Sequence, residues 1–595
     1  MSGGFVTVRA YSAAAAGSAS RRRWAGLFFI ALGVAMIIVD ATIVNVAVPQ
    51  IIKDLGITSS DAQWVQEVYT LVFAALLLVW GRLGDRYGRR LLFVTGAAAF
   101  AAASVLAAFS QSGPELIGSR VLQGIAGAMM LPTSLSLLNA RFRGRDRAIA
   151  FAVWGSTIGG TAALGPLLGG WLTTSYSWRW AFGINVPIGL AVVAGTLLLV
   201  PESKEAAASR GNDLAGAVLS VLGFGGIIFG LIEGRNYGWW TRTGHVSIAG
   251  LGWTWPVSPV PAAFAAGATC LLAFVAVELR RNAAGRVVLL DLRLFAIPSF
   301  RNGNIAAAIV SLGEFGLLFS LPLWFENVRG YSAFATGIAL LPLAIGSFAA
   351  SGFGAQLSRR QGPVFTVRLG IVLELAGVAG IGAAVGPATV WWATVPVLFV
   401  YGLGVGLATA QLTGVVLADV PIANSGQGSG TQSTSRQIGS AFGIAILGTV
   451  LFSTLGAQLS RKLAGIPGIP AGQRAAIVTA VKQSAGAAIS HLAADPRTAP
   501  VAAMAKQAFS QATRLTAFCA AIFLGLGLLA SLSLGRGNTS RQTPQTPSPT
   551  LRQQGQRHKP QSTHVVVLSH VSIRRRLTDL HQNHRTDLNA PVPLI

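Results

Sequence analysis

Three carboxylates stand where a charge is costly. Asp40 lies inside an apolar run covering 24–50, and Glu314 and Glu374 lie near the middle of two later runs. An ionised side chain at the centre of a bilayer costs about 2.5–3.5 kcal/mol even on insertion scales, so such groups are paired, face a wet cavity or hold a proton. The chemistry open to them is reversible protonation or cation binding. Asp40 is the first candidate proton carrier, and Glu314 and Glu374 are further candidates for proton or cation binding. Arg120 opens another apolar run, with Gln123 one helical turn along on the same face. Its permanent charge either pairs with a carboxylate and favours proton release, or snorkels to the nearer interface. Glu67, near the end of its run, reads as a hydrated group. His245 and His491 fall in polar connections and the other five histidines lie past residue 555, so any proton has to move on carboxylates.

Other chemistries find little support. The two cysteines, Cys270 and Cys519, sit in separate apolar runs as small buried hydrophobes, leaving no disulfide framework and no metal site. No metalloprotease helix, nucleophile elbow or Walker A loop occurs, which argues against an enzyme and against direct ATP-driven transport.

The elements that position these residues follow from composition. With 52% hydrophobic and 11% charged residues among 595, the solvent for most of this chain is lipid. A net charge of +25 raises the question of nucleic acid, but the arginines fall between apolar runs and in the C-terminal tail, which a membrane topology explains without such a partner. The run after Arg21, Arg22 and Arg23 is too long for a cleaved signal and reads as a first span.

At about 20 residues per span, fourteen spans are expected. They lie at 24–50, 63–81, 91–109, 116–138, 148–172, 180–200, 213–232, 260–278, 303–325, 334–356, 365–385, 392–417, 433–454 and 513–534. The domain reading is a cytoplasmic segment 1–23, a six-helix bundle 24–200, a two-helix insert 201–302, a second six-helix bundle 303–535 and a disordered basic tail 536–595. Within the second bundle an Ala-rich outer loop, 455–512, is expected to hold a surface helix.

The basic segment 81–90 sets the orientation. It has four arginines and one aspartate, and short basic loops stay in the cytoplasm. Loops holding Arg141 to Arg147, Arg280 to Arg286, and Arg359 with Arg360 fall on the same side, and an even span count puts both termini there. A degraded echo of 81–90, running from Gly354 through Ser358 and Arg359 to Gly362, follows the second span of the last six. Two homologous halves would place a substrate cavity between them. In the fifth span, Gly155, Gly159, Ala162, Pro166 and Gly169 recur at spacings that put them on one helical face, a groove for a closely packed helix.

Together these motifs resemble the fourteen-helix drug:proton antiporter family of the major facilitator superfamily, over roughly 24–455 plus the last span. The run from Asp40 to Pro49 is similar to that branch's first-helix signature. Gly81, Gly84, Asp85, Arg86, Gly88, Arg89 and Arg90 match the superfamily's cytoplasmic loop, where the resemblance implies a latch that gates alternation. Arg120 to Gly127 looks like the proton-coupling motif of the fourth helix. Gly155, Gly159, Gly165, Pro166, Gly169 and Gly170 resemble the antiporter motif of the fifth. The runs from Trp178 to Gly189 and from Arg436 to Gly443 also look like this branch.

The resemblance implies an all-α major-facilitator fold, two six-helix bundles plus two central helices, and a multi-pass protein of the cell membrane. It implies proton-coupled export of drugs or other amphipathic cations by alternating access. The expected coupling ion is the proton, with no cofactor and no metal, and the expected partners are a small-molecule substrate and lipid, with no nucleic acid, for a monomer. Alternatives are a dedicated exporter of one metabolite or self-made antibiotic and, more remotely, a passive facilitator or a membrane protein that transports nothing. The residues do not identify a substrate site.

Overall fold

The structure, a computed structural model, describes residues 4–57, 59–161, 164–204, 213–242, 246–248, 251–466 and 469–535. The expected tail 536–595 and Ala162 lie outside the described residues. Lipid offers the backbone no hydrogen-bond partners, so apolar runs of this length fold as helices that satisfy their own amides.

The first half contains α1 (Gly4–Leu55), α2 (Ser59–Tyr87), α3 (Arg89–Phe109), α4 (Gly113–Arg141), α5 (Gly144–Thr161), α6 (Leu164–Ser175), the short α7 (Arg179–Gly183) and α8 (Asn185–Leu199). The insert contains α9 (Leu214–Tyr237) and α10 (Pro259–Ala283). Between them β1 (Val246–Ile248) pairs antiparallel with β2 (Leu251–Trp253), and Thr241 forms an isolated antiparallel bridge with Val257. The second half contains α11 (Pro298–Asn327), α12 (Ala333–Gln361), α13 (Pro363–Ala384), α14 (Trp391–Val416), α15 (Ser425–Ala464), α16 (Ala471–Gln483), α17 (Ala488–Ala494) and α18 (Ala499–Ser531).

Twelve of the described helices are long and apolar enough to cross a membrane, and α12, bent by 48°, makes a thirteenth if its two parts are counted as one span. The expected fifth span, 148–172, is divided here between α5 and α6. Segment 455–512 differs from expectation too. α15 and α18 run on into it, and two short helices, α16 and α17, replace the single surface helix. Gly486, at φ 100°, seats this cap against Asn327 and Phe509.

The internal repeat is visible in which helices touch. In the first half α4 packs on α2 and α3, α8 packs on α1 and α3, and the α5–α6 pair packs on α1. The second half repeats the scheme: α14 packs on α12 and α13, α18 on α11 and α13, and α15 on α11. The halves meet through exchanged elements. α5 and α6 lie against α12, α5 also against α14, and α15 lies against α2 and α4. Of the insert, α9 touches both α2 and α15, while α10 packs on α9.

Candidate functional site

The side chains singled out in the first half converge on one buried network. Asp40, on α1, is completely buried, and its Oδ2 lies 2.5 Å from Nη1 of Arg120, on α4, which is 1% exposed. The alternative of Arg120 snorkelling outward is therefore overturned: the guanidinium turns into the bundle. It donates from Nε to the Val65 carbonyl at 3.0 Å and from Nη1 to Gln123 Oε1 at 2.8 Å, and its Cζ lies 4.2 Å from the centre of the Tyr69 ring. A guanidinium over an aromatic face gains from the ring quadrupole, most of all when desolvated.

Asp40 Oδ1 accepts from Gln123 Nε2 at 3.1 Å and from Asn185 Nδ2 at 2.7 Å, and both amides also donate to Ser104 Oγ, at 2.8 and 3.2 Å. Glycines let these helices approach. A Cβ on Gly124 would lie 2.9 Å from the Tyr69 carbonyl, and one on Gly189 would lie 2.8 Å from Ala101. The glycines spaced after Arg120 thus bring α4 onto α2, and Gly189, one turn past Asn185, brings α8 onto α3. Sequence reasoning missed Ser104, Tyr69 and the role of Asn185. A lone Asn at the start of an apolar helix was the one signal available.

The second half holds a smaller, sparser cluster. Glu314 Oε2, on α11, lies 3.6 Å from Arg436 Nη2, on α15, and Tyr401 of α14 donates its hydroxyl to the Glu314 carbonyl at 3.1 Å. Glu374, on α13, is wholly buried and feels the charges of both Glu314 and Arg436. Glu314 thus pairs with an arginine from a separate apolar run, and the charges of both act on Glu374. Glu67 is half-buried on α2.

Segment 81–90 is a loop only at Gly88. α2 continues through Tyr87 and α3 starts at Arg89, because Gly88 makes the reversal alone at φ 128°. A Cβ there would also lie 2.7 Å from Glu202 Cδ. The same one-residue turn joins α12 to α13 at Gly362, φ 90°, so the degraded echo keeps the turn while losing the aspartate.

Asp85 is fully buried against the opposite half. Its Oδ1 accepts from Arg89 Nη2 at 2.6 Å and from the Gly426 amide at 2.8 Å, and its Oδ2 accepts from the Gln427 amide at 3.1 Å. The carboxylate thus caps the N-terminus of α15, where unpaired amides and the helix dipole favour negative charge. Arg89 reaches across to the Ile422 carbonyl at 2.6 Å. Gly81 packs directly on Gly426 and Gly430, Gly84 packs on Thr133, and the Arg90 amide donates to Glu202 Oε1 at 3.0 Å. Arg86 stacks on Tyr87, with its Cζ 5.2 Å from the ring centre.

The small-residue positions of α5 and α6 serve several neighbours rather than one groove. A Cβ on Gly155 would lie 2.7 Å from Ala410 Cα of α14, one on Gly169 2.9 Å from the Ile43 carbonyl of α1, and one on Gly170 2.9 Å from the Phe334 amide of α12. Gly165 packs on Thr42 and Ile43. Gly159 lies in α5 and Pro166 in α6. This element is therefore wedged between the helix of Asp40 and the opposite half. Among the described residues, no group of three or more His, Cys, Asp or Glu is placed to hold a metal ion.

Comparison with known proteins agrees with this architecture. The model of the Major Facilitator Superfamily matches residues 30–444. The chain is 36% identical over 449 residues to the probable actinorhodin transporter of Streptomyces coelicolor, covering 73% of this chain and 74% of that one. It is 33% identical over 430 residues to the multidrug efflux pump LfrA of Mycolicibacterium smegmatis, covering 72% and 81%. Among solved structures, the human organic anion transporter MFSD10 matches with a TM-score of 0.52 at 13% identity, over 86% of this chain and 99% of that one, a likeness of fold alone.

Proposed function

Because the chain belongs to the major facilitator superfamily, we propose that it is a proton-coupled antiporter that exports small amphipathic cations from the cell by alternating access. The observation that carries this reading is the burial of Asp40 against Arg120 inside one bundle. A charge pair so deep has little value as a structural brace, since replacing a buried pair with apolar side chains is often neutral or stabilising. It has a clear use as a switch. When Asp40 takes a proton, Arg120 loses its anionic partner and keeps Gln123 and the Val65 carbonyl; when Asp40 releases it, the pair reforms.

This change lies beside Gly165 and Gly169, which hold α6 against α1, and α5–α6 in turn bears on α12 and α14. Protonation can thereby bias how the two halves meet. On this reading α5 and α6 are one broken span, which with the twelve and α12 makes fourteen, the arrangement of the drug:proton antiporter branch, with both termini in the cytoplasm. The segment around Asp85 is then the cytoplasmic latch, and its release accompanies opening to the inside.

The test is uptake of a cationic dye into everted vesicles with an imposed inside-acid gradient. The parent chain is expected to accumulate dye, and Asp40→Asn is expected to lose the gradient-driven part while still being expressed. Parent uptake that ignores the gradient would count against antiport. A second reading, export of one dedicated compound, is favoured by similarity to a transporter named for actinorhodin alone. A panel of dyes and antibiotics separates the two, since a dedicated exporter moves one chemical class and ignores the rest.

A further inference from the structure

We propose that the second bundle holds a proton-coupling site of its own, in which Glu314 and Glu374 share a single exchangeable proton opposite Arg436. The proposal rests on the antiport reading and adds to it a site independent of Asp40.

Glu374 has no exposed surface, and neither of its carboxyl oxygens has a hydrogen-bond partner. An ionised carboxylate left this way pays its full desolvation cost without return, so the group holds a proton. Glu314 and Arg436 form an ion pair at 3.6 Å, too long for a hydrogen bond, and neither Glu314 Oε2 nor Arg436 Nη2 has a hydrogen bond elsewhere. The arginine keeps its charge under all conditions. Two carboxyls and one guanidinium are neutral together only when they carry one proton between them, and a proton on two carboxyls whose charges act on each other belongs to the pair.

The surroundings fit a dedicated site. A Cβ on Gly404 would lie 2.7 Å from Glu374 Cγ, so α13 and α14 are pressed together at this carboxyl. Tyr401, one turn earlier on α14, ties itself to the backbone of Glu314. The charged groups that act on Glu374 are Glu314 from α11 and Arg436 from α15, and Tyr401 feels the charge of both carboxyls. α12 and α18, which also pack on α13, bury hydroxyl side chains but no charged one among the described residues. Arg436 belongs to the helix whose N-terminus Asp85 caps, so loss of the shared proton places an uncompensated negative charge against the element that latches the halves.

The experiment is infrared spectroscopy of the reconstituted full chain, reading the carboxylic-acid C=O band by difference between the parent and its variants. Glu374→Gln is expected to lose one acid band that shifts in D2O. Glu314→Gln is expected to lose it too, because Glu374 must then ionise to balance Arg436. Arg436→Gln is expected to gain intensity, about twofold for this pair, because both carboxyls then hold protons. In everted vesicles Glu374→Gln is expected to bind dye and lose gradient-driven uptake. No band in the parent-minus-Glu374→Gln spectrum, a band indifferent to D2O, no gain in Arg436→Gln, or parent-level uptake by Glu374→Gln would each overturn the proposal. The spectra need no transport, so failure of the shared proton and failure of antiport in the parent are separate results.

Discussion

At the residue scale Asp40 and Arg120 are densely paired, while Asn185 Oδ1 in the same network is buried without a hydrogen-bond partner. Asp40 receives three donors and Arg120 finds three acceptors and a ring, every partner coming from the same bundle. Removing the cation strands the anion. Arg120→Ala should cost about 3–5 kcal/mol of stability, the usual penalty for breaking a buried pair, measured as loss of unfolding free energy in detergent. The double variant Asp40→Asn with Arg120→Gln should cost much less than the sum of its parts, because no lone charge remains. Additive losses would mean the two side chains do not depend on each other. Ser104→Ala removes the acceptor shared by Gln123 and Asn185 and should cost about 1–3 kcal/mol.

At the element scale two helix pairs, α2–α3 and α12–α13, are each joined by a single glycine. Gly88 alone reverses the chain between α2 and α3, which lets α2 carry Asp85 to the first turn of α15. Gly88→Ala is strained by its backbone angle and collides with Glu202, and should lower stability by about 1–3 kcal/mol; unchanged thermal unfolding would show that the turn can relax. Asp85→Asn keeps the size of the cap and removes its charge. It should loosen the α2–α15 contact, seen as faster labelling of a cysteine placed at Ser425, with the Asp40 network undisturbed. Labelling at the parent rate would argue that the cap does not hold this contact closed.

For the whole molecule, the paired packing schemes of the two halves are the central fact. Each half lends an element to the other: α5–α6 from the first and α15 from the second. Those elements carry the glycines that permit backbone contact across the boundary, among them Gly155 on Ala410 and Gly426 on Gly81. The alternating access proposed above requires these surfaces to separate and close again. Gly155→Leu puts a large side chain where a single Cβ already meets backbone. It should hold the halves apart, abolishing dye transport while dye binding, read by fluorescence, persists. Transport at parent levels would mean that α5 and α14 need not close.

The sequence by itself determined the solvent, the approximate spans, the doubled architecture and the residues worth watching. Long apolar runs have one stable form in lipid, and a charge inside such a run stands out because its cost is local to that run. Asp40, Arg120, Glu314 and Glu374 were therefore legible without partners. Tertiary structure alone decided who their partners are. Asp40 and Arg120 are 80 residues apart, and nothing in either run encodes that Ser104 and Asn185 complete the network, since Ser and Asn carry no hydrophobic signal that marks a face. It also decided that α2 runs through Asp85 rather than ending at residue 81. Hydropathy falls at the first arginine, whereas a helix continues for as long as its amides find carbonyls, and the turn waits for the one glycine able to make it.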